Sequence, residues 1–164
     1  MNPIDHGTLV QQLADSAGAA KGPRAATWLL VQHGYWLPEL LRTEIITTLP
    51  SGVSFISWQG AADHCNGSGT LPGVSAPRSL EGTHSQWAIL KLACVLTGYH
   101  ALDLYHLGSL DDRNSALATY AFAWATCGRQ YAASTGLVTG LCARCSWRPE
   151  HCSCPAGETP EAKQ

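Results

Sequence analysis

The run Cys142-Ala-Arg-Cys145-Ser-Trp-Arg-Pro-Glu-His151-Cys152-Ser-Cys154 crowds four thiols and an imidazole into one short segment near the C-terminus. Zinc takes four nitrogen or sulfur ligands in a tetrahedron, and a C-x2-C turn supplies two thiolates from one tight bend. The second pair has two solutions. Cys152 and Cys154 form a C-x-C chelate, tighter than the usual spacing; His151 and Cys154 would instead complete C-x2-C-x5-H-x2-C. An iron–sulfur cluster also takes four thiolates, with Cys127 or Cys94 as further donors. Redox-active thiols and plain unligated cysteines are the remaining readings. Energetics favour a structural zinc. Residues 142–154 carry little apolar surface beyond Trp147, whereas ordering backbone costs roughly 1–2 kcal/mol per residue. Metal coordination supplies about 10–16 kcal/mol in zinc-finger peptides.

Arg144, Trp147 and Arg148 stand between the candidate ligands, offering two positive charges and an aromatic face. Zinc knuckles of that content stack on single-stranded bases. Glu150 offsets the charge, and the favoured alternative is that Trp147 packs the knuckle onto a helical core. A second constellation, His100-Ala-Leu-Asp103-Leu-Tyr-His106, has the ligand types of a catalytic metal site with an open position. On one helix, however, three-residue steps drift by about 60° each, so His100 and His106 diverge. Gly98 and Gly108 also frame this stretch as a link between helices. Asp63-His64-Cys65 adds donor types with no evident companion. There is no G-x-S-x-G elbow and no phosphate-binding glycine fingerprint.

The elements that must position these residues are mainly helical. Leu9, Val10, Leu13, Ala14 and Ala17 line one face of a helix over 8–19, and Gly18 to Pro23 interrupt it. A second helix is predicted from Ala25 to His33, ending at Gly34 with an aromatic anchor in Tyr35-Trp36. Pro38 suits the first turn of a third, with Leu37, Leu40, Leu41 and Ile45 on one face. Its second half is β-branched, so a hairpin at 44–57 competes with it, and a helix followed by one short strand is the favoured reading. Residues 66–82 read as a flexible Gly/Ser/Pro loop. Thr83-His84-Ser85-Gln86 is a capping box opening a helix to about Thr97, apolar nearly all round. Ser109-Leu110-Asp111-Asp112 marks another start, its acids placed where the helix dipole favours them, with Leu117, Tyr120, Ala121, Trp124 and Cys127 on its face and Gly128 as its stop. These last two helices, joined by a short link, are expected to pack antiparallel at the centre of the core. Trp28, Trp58 and Trp87 are expected core or interface residues.

The stretch from Ser79 to Gly128 resembles a pattern in small uncharacterised proteins of high-GC actinobacteria and their mobile elements. The matching pieces are Ser79-Leu80-Glu81-Gly82, Leu90-Lys91-Leu92-Ala93, Gly98-Tyr99-His100-Ala101-Leu102-Asp103-Leu104 and Leu110-Asp111-Asp112-Arg113-Asn114. The resemblance implies a helical fold and brings no active site with it. Whole-chain composition fits one domain: 164 residues, 45% hydrophobic, only 13% charged, net charge −2. A pI near 6.3 removes the global sign of nucleic-acid binding. Seven cysteines, an odd number clustered late in the chain, argue for reduced thiols and a cytoplasmic setting. No basic leader and no apolar span appear. The sequence thus predicts a mainly α-helical domain over 1–141, a metal knuckle over 142–154 and a disordered tail over 155–164. With no convergent acid, base and nucleophile, the expected function is a non-enzymatic binding or adaptor protein of a mobile element or regulatory complex. Its expected partner is another protein, with single-stranded nucleic acid as the alternative and no membrane. The competing functions are a metal-dependent hydrolase on His100, Asp103 and His106, and a thiol or iron–sulfur redox sensor.

Overall fold

A computed structural model describes residues 5–67, 80–142, 145–149, 152 and 154, with the side chains of Leu104 and His106 left out. Most of the predicted 66–82 loop and the predicted 155–164 tail therefore lie outside the described residues. The architecture is mainly helical with one two-stranded hairpin. The helix α1 (His6–Ser16) starts on the Asp5 side chain, which accepts from the Thr8 amide at 3.1 Å, and buries Leu9, Val10 and Leu13. Next comes α2 (Lys21–His33), which Gly34 ends at φ 83° in the left-handed region.

The start of α2 departs from the expected Ala25. Gly22 and Pro23, read as breakers, both sit in its first turn. Proline is tolerated there because those amides lack intrahelical partners anyway. Gly22 has a packing reason: a Cβ would run into the carbonyl oxygen of Leu96 at the far end of another helix.

Following α2, α3 (Trp36–Arg42) stops well short of Pro50, and β1 (Ile46–Thr48) pairs antiparallel with β2 (Ser54–Ile56). The favoured expectation, a helix followed by one short strand, is thus corrected: the helix ends before Ile45, and the competing hairpin follows it. Ile46 faces Ile56 in the register and both are buried. The hairpin docks on α1, where the buried Ser54 hydroxyl donates to Gln12 Oε1 at 2.7 Å. The helix α4 (Trp58–Cys65), unforeseen in the sequence, is capped by Ser57. The Thr83–Gln86 capping box opens α5 (His84–Leu96) with both reciprocal hydrogen bonds in place. One turn, α6 (Leu104–Leu107), occupies the expected link. Asp111 caps α7 (Asp112–Cys127), and α8 (Arg129–Ser134) follows.

The centre of the core belongs to α2, not to the expected α5–α7 pair. Both α5 and α7 pack chiefly on α2 and touch each other less. Eight consecutive residues of α2, Ala25 to Gln32, are buried. Trp28 stacks on Tyr120 with ring centroids 4.5 Å apart and tilts against Trp124 at 5.9 Å. Leu117, Tyr120, Ala121 and Trp124 form the predicted buried face of α7, but Cys127 is exposed at its end. Trp58 and Trp87 are partly buried against the same core.

Candidate metal centre

Four sulfurs converge at the C-terminal end. The Sγ atoms of Cys142, Cys145, Cys152 and Cys154 all lie within 4.8 Å of one another. Backbone bonds fold the segment to this shape. The Ser146 amide donates to the Cys142 carbonyl at 2.8 Å, and the Cys142 amide donates to the Trp147 carbonyl at 2.8 Å. Ser146 adopts φ 62°, the left-handed conformation that lets the chain reverse immediately after the second thiol. The return arm is set by the Cys152 amide on the Pro149 carbonyl at 3.2 Å.

The spacing suits one ion. A tetrahedron with Zn–S bonds of about 2.3 Å has sulfur–sulfur edges of about 3.8 Å. Cys145 and Cys152 stand 3.4 Å apart, far beyond the ~2.05 Å of a disulfide. All four cysteines are partly buried and free of disulfides. The Cys145 thiol is pushed up to about 12, first by burial and then by hydrogen bonding with the other thiols, against a lowering Trp147 backbone bond. Neighbouring thiols resist becoming neighbouring thiolates. A dication removes that conflict, because coordination displaces the protons and offsets the negative charge.

The knuckle is moored to the central helix. Trp28 Nε1 donates to the Ser146 carbonyl at 2.7 Å in the buried interior, across 118 positions of sequence. Arg148 Nε donates to Gln32 Oε1 at 2.9 Å, one helical turn further along α2. Arg113 from α7 meets the Gln32 carbonyl at 3.2 Å. Trp147 is partly buried and packs against the core. Of the three residues expected between the ligands, Trp147 and Arg148 therefore contact their own domain, and Arg144 lies outside the described residues. His151 lies outside them as well, so the four cysteines make up the described ligand set.

Among the described residues, the other candidate donors form no second group of three or more ligands. Asp103 is exposed and accepts from the Tyr105 amide at 2.9 Å, as a cap for α6. His100 borders a shallow crevice with Asp103, Leu92 and Leu107, and the side chain of His106 is outside the described set. His64 and Cys65, at the end of α4, line a different cleft. Among the described residues, neither Cys94 nor Cys127 joins the four-sulfur group. The mooring residues Ser146, Trp28 and Gln32 were not foreseen as part of the site. A buried indole N–H needs a partner, and that need is the only trace such a contact leaves in sequence. No family model matches the chain, and neither does any curated protein or solved structure.

Proposed function

We propose that this is a non-enzymatic binding or adaptor protein whose helical domain carries one structural zinc on Cys142, Cys145, Cys152 and Cys154. The convergence of four thiols within 4.8 Å carries the reading. A single ion fits that spread better than an iron–sulfur cluster, whose four thiolates must surround a larger body. A closed set of four protein ligands, with no position left for water or substrate, is the pattern of structural rather than catalytic zinc. The mooring of the knuckle through Trp28 and Arg148 supports a structural role too.

The partner we favour is another protein, in the cytoplasm and within a mobile element or regulatory complex. Leu102 and Phe122 are both nearly half exposed and flank an apolar groove between α5, α6 and α7. Single-stranded nucleic acid is disfavoured by the net charge of −2 and by the Arg148–Gln32 bond. Seven cysteines outside any disulfide suit a reducing compartment.

Elemental analysis of protein purified without added metal tests the zinc reading. It should return about one zinc per chain, lost in the double variant Cys142→Ser/Cys145→Ser. Protein with no metal and freely titrating C-terminal thiols would end it. Metal-dependent turnover abolished by replacing His100, Asp103 and His106 with Ala would overturn the non-enzymatic assignment.

A further inference from the structure

A second thiol pair lies away from the knuckle. Cys65, the last residue of α4, and Cys94, in the last turn of α5, meet where these two helices pack together. Their side chains share a hydrogen bond. The two thiols have unequal surroundings. Cys94 is fully buried, whereas Cys65 is half-buried and lines a cleft of about 810 Å³ with His64, His84, Trp87, Lys91 and Tyr105. Lys91 precedes Cys94 by one turn of α5, so its ammonium group serves the same wall.

We propose that Cys65 and Cys94 form a peroxide-reactive dithiol, in which Cys65 meets a small hydroperoxide in the cleft and Cys94 resolves it to a disulfide. In the first step the Cys65 sulfur attacks the peroxide, the O–O bond breaks, and one oxygen leaves as water or the corresponding alcohol. Cys65 becomes a sulfenic acid. In the second step the Cys94 sulfur attacks the Cys65 sulfur, the S–O bond breaks, and the oxygen departs as water with the Cys94 proton. The thiols lose two electrons, and the peroxide gains them.

The assignment of roles follows from the surroundings. The Cys65 thiol is held below the ordinary range by the hydrogen bond from Cys94, against burial, and by the charge of Lys91. The Cys94 thiol is pushed up by the same hydrogen bond and by burial. A thiolate attacks, and an attacked sulfenic acid needs a thiol within reach. Cys94 has no route to peroxide of its own, so it serves as the second sulfur. His64 also lines the cleft, with Nδ1 on the Gly60 carbonyl at 2.9 Å and Nε2 unpartnered among the described residues.

The test uses full-length, metal-replete protein, treated with one equivalent of hydrogen peroxide, alkylated and mapped without reduction. The expected product is a cross-link between the peptides holding Cys65 and Cys94, reversed by a thiol reductant. Cys94→Ala should leave Cys65 as a sulfenic acid that a cyclic dione captures, and Cys65→Ser should leave Cys94 a thiol. A map in which Cys65 and Cys94 both remain alkylated overturns the proposal, whether the exposed Cys127 reacts or nothing does. So does a cross-link joining Cys65 to any other cysteine. The map of the unmodified protein decides even where the Cys94 variant fails to fold, and zinc content is measured independently of it.

Discussion

Four sulfurs in a knuckle are visible in sequence, but the single atoms that hold the knuckle in place are not. Trp28 Nε1 is the clearest case. Removing the donor while keeping an aromatic ring, as in Trp28→Phe, leaves the Ser146 carbonyl unsatisfied in a buried place. An orphaned buried acceptor costs about 1–3 kcal/mol. Denaturant unfolding of the variant should show a loss in that range, and an unchanged midpoint would mean that the bond is dispensable. His33 makes a prediction about acid. Burial lowers its pKa, the Arg113 charge lowers it further, and Asp111 works the other way. The folded chain therefore binds this proton less readily than the unfolded chain does. Its contribution to stability is present above 6.5, the ordinary value, and is lost as pH falls through the lowered one. Unfolding midpoints measured from neutral pH downward should decline, and His33→Gln should decline less steeply. Identical slopes in the two proteins would assign the acid sensitivity to another group.

At the scale of elements, local signals were legible wherever one residue acts on its own helix end. The Thr83–Gln86 box is where the sequence puts it, and α7 begins within the stretch Ser109 to Asp112 read as its start, with Asp111 as the cap. Thr83→Ala should cost about 0.5–2 kcal/mol by thermal or chemical unfolding; no change would show that the box is ornamental. Non-local demands were illegible. Gly22 reads as a breaker because nothing nearby reveals that α5 passes close enough to forbid a Cβ. Gly22→Ala should separate α2 from α5 and cost roughly 1–3 kcal/mol, in the range of overpacked cores. If the variant were as stable as the parent, the close approach of these helices would be wrong. The same blindness explains α4. Its Ser57 cap follows directly on the hairpin strand that ends at Ile56, and Gly60 weakens its helical pattern. The central place of α2 was hinted at by Ala25 to Val31, which is apolar but for Thr27, yet contact with both α5 and α7 is what defines it.

For the whole molecule, domain and knuckle form one structure. Trp28 stands in the middle of the core, stacked on Tyr120, and its indole N–H donates to the carbonyl of the knuckle's Ser146. Chelation should therefore reach beyond residues 142–154. The helical domain should keep its far-ultraviolet signature while its unfolding midpoint drops and its tryptophan emission changes, as Trp28 loses a partner. A midpoint unmoved by chelator would mean that the knuckle is a passenger. Chain order adds a consequence for biosynthesis. The indole leaves the ribosome 118 residues ahead of the carbonyl it needs, a delay of about 6–24 s at 5–20 residues per second. Throughout that interval the nascent helices carry a tryptophan whose polar edge has no final partner. The synthesis of Ser146 and its neighbours thus sets when the core around Trp28 can close.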